Sequence, residues 1–145
     1  SVAITIGGTL AAHDRDRFVA AIIEDGVSVE YDGPAFDASQ LPKDDALRLY
    51  AHDIAWGRLE TLEALCLELA LPFTRWSDGY GGAWSPEIIV FTGSGAVRAF
   101  AADEQERAVI DRQTVEQCGR FDAVLAYFDA ADFAVPPLRI GDASA

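Results

Sequence analysis

Phe73-Thr74-Arg75-Trp76, Ile88-Ile89-Val90-Phe91 and Val97-Arg98-Ala99-Phe100-Ala101 are three short apolar-rich runs separated by glycine-bearing connections. Ser77-Asp78-Gly79-Tyr80-Gly81-Gly82-Ala83-Trp84-Ser85-Pro86 joins the first two, and the tight Thr92-Gly93-Ser94-Gly95 joins the second and third. Short β-rich segments bounded by glycine, serine and proline read as strands, and a glycine-bearing four-residue turn reads as a hairpin. Consecutive strands of this kind make an antiparallel meander, which separates the chain from the alternating β-α-β pattern of a wholly parallel sheet.

Upstream, residues 2–6 alternate as a strand and Gly7-Gly8 ends it. Thr9 can cap a helix over about residues 10–25, with Leu10, Phe18, Ala21 and Ile22 on its apolar face and Gly26 as its stop. Val27, Val29 and Tyr31 alternate with Ser28, Glu30 and Asp32, which predicts a second strand closed by Gly33-Pro34. If the first two strands are parallel, their crossover is right-handed. Residues 33–45 read as an irregular connection, and Asp44 or Asp45 can cap a helix over 46–70 that Gly57 interrupts and Pro72 ends. Downstream of the meander, 103–106 reads as an exposed turn and 108–110 as a short strand. Thr114 with Gln117 resembles a capping box for a last helix, split at Gly119, whose Val115, Cys118, Phe121, Val124, Leu125 and Phe128 form its inward face. Pro136-Pro137 breaks the chain before an edge strand at 138–140. The expected class is α+β: a mixed, mostly antiparallel sheet with about three helices packed on one face, in the order β-α-β-α-β-β-β-α. One domain spans 1–140 and 141–145 form a frayed tail.

The 145 residues hold 11 basic and 24 acidic side chains, a net charge of −13. That balance disfavours binding to a nucleic-acid backbone or to anionic lipid, both of which call for Lys and Arg. It suits a soluble protein or one with cationic partners. Carboxylates fall on the wet face of each expected helix and in most turns, so the charge by itself points to no substrate. Ten arginines against one lysine, with abundant alanine, read as the coding bias of a GC-rich bacterial genome. No basic leader precedes the first strand and no apolar run reaches the ~20 residues of a membrane span, so the expected location is the cytoplasm. Cys66 and Cys118, far apart in apolar helical contexts, read as reduced, packed thiols.

Catalytic and cofactor signatures are absent from the sequence. There is no GxGxxG, P-loop, GxSxG, HExxH, CxxC or calcium-loop spacing, so no cofactor and no metal is expected. Gly7-Gly8-Thr9 could aim amide groups at an anion, but it fits a tight connection better. His13-Asp14 and His52-Asp53 are sequence neighbours that point about 100° apart on a helix, which makes neither a dyad. The stretch that stands out is 75–87. Arg75, Trp76, Asp78, Tyr80, Trp84 and Glu87 gather aromatic, cationic and acidic groups around glycines, the residue types that dominate binding hot spots. The reading is a non-catalytic module that binds a protein or small molecule through this loop, with a homodimer possible through an open sheet edge. Two alternatives stand beside it. A small acid–base hydrolase or isomerase would need His13 or His52 in a cleft with a carboxylate in reach. An acidic inhibitor that mimics nucleic acid would need its carboxylates in one stripe.

Overall fold

A computed structural model describes residues 1–54, 57–79 and 85–141. Its elements are β1 (Val2–Ile6), β2 (Gly8–Leu10), α1 (Arg15–Glu24), β3 (Leu47–Ala51), α2 (Glu60–Glu68), β4 (Phe73–Ser77), β5 (Glu87–Phe91), β6 (Arg98–Ala101), α3 (Arg112–Cys118), α4 (Phe121–Ala131) and β7 (Leu138–Ile140). Five strands form one sheet in the order β3-β1-β4-β5-β6, with every neighbouring pair antiparallel. β2 and β7 form a separate parallel pair. The class is α+β, as the meander requires. No helix among the described residues is long and apolar enough to cross a membrane.

β1 is the pivot. It sits between β3 and β4, and Val2, Ala3, Ile4 and Ile6 are all buried. Alternate side chains of a strand point to opposite faces, so a strand buried at successive positions must be covered on both sides. One face carries Ile4, Leu49 and Phe73 against Phe18 and Ile22 of α1 and Leu62, Leu65 and Cys66 of α2. The other carries Ala3, Trp76, Ile88, Val90 and Phe100 against Tyr127, Ala130 and Ala131 of α4 and the following Phe133. The helices therefore lie on both faces of the sheet, a correction to the single covered face expected from sequence.

Three further differences have physical causes. Residues 46–51 belong to a strand instead of the start of a helix over 46–70. Leu47, Leu49 and Ala51 are buried with period two while Arg48 and Tyr50 face the other side, and pairing along the whole of β1 satisfies their backbone. The helix begins only at Glu60, after Gly57 at φ +65°. The strand expected over 27–31 shrinks to a single bridge, in which Ser28 and Tyr50 exchange N–H···O bonds of 3.0 and 2.7 Å. β1 thus has antiparallel neighbours on both sides, with no parallel crossover. Likewise 108–110 contributes one bridge, Ala102 to Ala108.

The helix expected over 10–25 starts at Arg15, because Gly8–Leu10 pairs with Leu138–Ile140. This pairing also explains Gly7-Gly8. A Cβ on Gly7 would fall 1.7 Å from the Pro136 carbonyl oxygen, and Gly8 adopts φ +90°. Their N–H groups donate to Pro72 O (3.0 Å) and Pro137 O (3.1 Å), so neither glycine amide is free for an anion. At the far end, Asp111 caps α3 by accepting from Thr114 N at 2.8 Å, where sequence suggested Thr114 as the cap. Gly119, at φ +79°, ends α3 and splits the helical stretch.

Both cysteines are free. Burial, with the charge of Glu63 adding to it, pushes the Cys66 thiol up to about 12. Only thiolates react with electrophiles, so Cys66 should resist iodoacetamide at pH 8 in the native state. Half-buried Cys118 should be labelled first, and both should react in denaturant. Peptide mapping after a timed pulse checks the order, and native labelling of Cys66 ahead of Cys118 would contradict this packing.

Candidate ligand-binding cleft

Adjacent residues of a strand face opposite ways, and this separates Arg75 from Trp76. Arg75 is only 3% exposed and points toward α2. Its Nε lies 2.9 Å from Glu63 Oε2, but off the line of its N–H. The contact is thus a charge pairing, without a hydrogen bond at Nε among the described residues. Its Nη1 is 3.6 Å from Glu87 Oε1 and donates to Ser77 Oγ at 3.3 Å. Glu63 also accepts from Leu59 N at 2.7 Å, closing the first turn of α2. Burial pushes the Glu63 carboxyl above its ordinary range; attraction to Arg75 acts against this and does not overcome it. Arg75 and Glu87 are thereby engaged in holding β4, β5 and α2 together. Asp78 pairs with the Ser1 amino group at 2.7 Å. Tyr80 and Trp84 lie outside the described residues. The four described members of the group drawn from sequence, Arg75, Trp76, Asp78 and Glu87, are thus divided between the two faces and the end of the sheet.

Trp76 faces the α4 side and is 8% exposed. Its Nε1–H donates to Asp103 O at 2.9 Å. The Asp103 carboxylate locks that turn, accepting from Gln105 N (2.9 Å), Arg107 N (2.9 Å) and Arg107 Nε (2.7 Å). The Arg107 backbone N–H is the largest cause holding the Asp103 carboxyl below its usual value. The turn therefore positions two things at once, the acceptor for the indole and the Glu106 side chain. Glu106 reaches across to Arg48 Nη2. Arg48 also donates from Nε to Tyr50 Oη (2.9 Å) and from Nη1 to Thr5 Oγ1 (3.0 Å).

Between these groups lies a cleft of about 240 Å³. Ala3, Trp76 and Ile88 form its apolar floor, Ala131 and Phe133 a wall, and Thr74, Arg48, Glu106 and Asp132 its polar margin. Asp132 makes no side-chain hydrogen bond or ion pair among the described residues. Sequence reasoning found Trp76 but missed Arg48, Glu106, Asp132 and Phe133. Arg48 was hidden by the helical reading of its segment. Asp132 and Phe133 follow α4, whose end on the sheet no local pattern announces.

The second exposed feature is apolar. Phe121 is 76% exposed, and Val115 and Leu125 are exposed with it. A groove of about 500 Å³ beside them is lined by Val115, Glu116, Gly119, Arg120, Phe121 and Val124. Sequence placed Val115, Phe121 and Leu125 on the core face. The structure turns Tyr127, Ala130 and Ala131 to the sheet instead, because α4 is apolar on both sides and only one side can be covered.

Neither histidine lines these clefts. His13 is 78% exposed, its Nε2 3.4 Å from Asp14 Oδ2. His52 stacks on Tyr31 at 4.4 Å, with Nδ1 3.0 Å from Ser1 Oγ. Its Nε2 stands 3.6 Å from Asp32 Oδ2, beyond a hydrogen bond. This hydroxyl–imidazole–carboxylate sequence is open at the carboxylate end, and Asp32 is freely solvated. Among the described residues no group of three or more His, Cys, Asp and Glu is placed to hold a metal ion. Compared with protein-family models, curated proteins and solved structures, the chain matches none.

Proposed function

We propose that this domain is a non-catalytic binding module whose small ligand sits in the cleft over Trp76. The observation that carries the reading is the cleft's construction. Largely buried apolar side chains from three strands lie under a lining that is mostly polar, whose members come from four separate segments: Arg48 from β3, Thr74 from β4, Glu106 from the 103–107 turn and Asp132 from the end of α4. Ligand sites commonly combine an apolar bed with a few convergent polar groups. The bed is rigid, since Trp76 is fixed both by packing and by Asp103. The reading moves the binding surface from the Gly-rich loop to the sheet face behind it, and keeps Trp76 as its aromatic contact.

Titration of an isotope-labelled sample with a charge-diverse set of fragments tests this. Binding should move the Trp76 indole resonance with the amides of Ala3, Thr74, Ile88 and Phe133. Perturbations confined to other surfaces would refute the cleft as the site.

A second reading is favoured by Phe121. A two-fold dimer needs a patch that complements itself. The α3–α4 surface carries both a projecting Phe121 and an adjoining groove. Of its charges, Glu116 and Arg120 at the groove balance each other, and Arg112 is paired to Glu116 at 2.9 Å and Arg120 to Asp122 at 3.1 Å. On a chain of −13 the groove itself is a place without net charge. The reading takes a second copy as the occupant. Sedimentation at about 0.1 mM should find a dimer for the wild type and a monomer for Phe121→Asp. The substitution should cost under about 0.5 kcal/mol of monomer stability, because the side chain is already in water. A monomeric wild type at that concentration would end this reading.

A further inference from the structure

Resting on the cleft proposed above, we infer that its ligand is a small organic monocation, a protonated amine or quaternary ammonium with an apolar body. Three observations converge. The first is the balance of charge inside the cleft. Arg48 and Glu106 neutralise each other, and all three Arg48 guanidinium nitrogens are already donating, to Tyr50, Thr5 and Glu106. An incoming anion would have to compete with Glu106 for that guanidinium. Asp132 has no such partner among the described residues, so the lining carries one unmatched negative charge. A cation finds an unspent carboxylate, whereas an anion finds a spent arginine.

The second is the aromatic content. Trp76 and Phe133 both line the cleft. Aromatic rings hold ammonium groups through their quadrupoles, with tryptophan the strongest, and they accept the methylene body of an amine as readily. The third is long-range. The chain's charge of −13 concentrates cations near its surface and disfavours the approach of anions. The sequence alone could not connect this charge to a site; the cleft provides a place where it would act.

Size limits the class. A cavity of ~150 Å³ lined by apolar side chains takes benzene, so about 240 Å³ admits roughly ten non-hydrogen atoms. That suits arylalkylamines or short branched amines, which the cleft can hold without leaving most of the ligand in solvent.

The test uses three probes of nearly equal shape: phenethylamine as its cation, 2-phenylethanol and phenylacetate. Each is titrated at millimolar concentration into the whole chain while the Trp76 indole resonance is followed. The amine should bind about tenfold or more tightly than the alcohol, and phenylacetate should bind weakest. Asp132→Asn keeps the shape of the exposed side chain and should bring amine and alcohol to equal affinity with an unchanged Tm. Added salt should weaken the amine and leave the alcohol alone. If the alcohol binds as well as the amine, or the acid binds best, the cation inference is wrong while the cleft remains a ligand site. If none of the three moves the Trp76 resonance, the cleft reading itself falls, and this inference with it.

Discussion

Arg75→Met should unfold this protein far more readily than its conservative volume suggests. The substitution leaves the Glu63 carboxylate facing an apolar chain in a site where burial already opposes its charge. Removing one partner of a buried pair costs about 3–5 kcal/mol, because the survivor keeps its desolvation penalty and loses its compensation. For a domain of this size that is a fall in Tm of roughly 10–15 °C. The pairing itself contributes little net stability, so Arg75→Met combined with Glu63→Leu should recover most of the loss.

The pH dependence has a definite sign. In the wild type the Glu63 carboxyl is raised above its ordinary value. The folded state therefore holds that proton more readily than the unfolded state does. Stability from this group falls as pH rises from the ordinary glutamate value through the raised one. Arg75→Met removes the attraction that opposes the shift and raises the carboxyl further. The variant's deficit should thus be largest at pH 7 and shrink toward acid, once Glu63 is neutral. Chemical denaturation of wild type, single and double variants at two pH values measures this. An Arg75→Met penalty below about 1 kcal/mol, or one independent of pH, would remove the ion pair from any structural role.

The same residue shows how far sequence could reach. Arg75 and Trp76 are neighbours in a run that reads correctly as a strand, and that reading already implies that they face opposite ways. Grouping them with Asp78, Tyr80, Trp84 and Glu87 as one recognition surface set the alternation aside in favour of composition. The meander 73–101 was legible because its strands pair with their sequence neighbours through short turns, so local pattern and tertiary pairing agree. β3 was not legible. Its partner β1 lies more than 40 positions away, and the residues after it continue with helical spacing. Only the burial of Leu47, Leu49 and Ala51 against β1 decides between the two periods. The apolar stripes of the last helices were legible as stripes, but not which side would be covered. A helix apolar on both sides does not encode its own orientation, and the sheet chose Tyr127 and Ala131 over Phe121 and Leu125.

For the cleft, sequence offered one landmark, Trp76, and grouped it with the residues of the loop that follows it. Its true partners arrive from β3, from the 103–107 turn and from the end of α4. Each has an ordinary local reading: a polar position on a strand, an exposed turn, a residue past a helix. What brings them together is β1. By taking β3 on one side and β4 on the other, it brings Arg48 and Trp76 to one face around Ala3, where the end of α4 closes over them.

That placement makes Trp76→Ala the sharpest test of the outer sheet face. If Trp76 belongs to the core, truncation removes a large ring from among Ala3, Ile88, Val90 and Phe100 and opens a void beneath α4. Such substitutions cost about 3–5 kcal/mol. Trp76→Phe keeps most of the packing and loses chiefly the Nε1–H donor to Asp103 O. Its cost should be nearer 1 kcal/mol, the worth of an ordinary hydrogen bond. The 103–107 turn should survive in Trp76→Phe, because the Asp103 carboxylate still binds Gln105 and Arg107. That turn has its own dependence on pH. The Asp103 carboxyl is held below its usual range, first by the Arg107 backbone N–H. Its contribution is therefore present above the ordinary aspartate value and lost as pH falls through the lowered one. Carboxyl titration by NMR should show the low midpoint in wild type and in Trp76→Phe alike. Were Trp76 instead a surface aromatic of the glycine-rich loop, alanine would leave stability within ±0.5 kcal/mol and affect binding alone. Denaturation curves of the two variants separate these cases: a graded loss from Phe to Ala places the indole under α4, and flat curves return it to the loop.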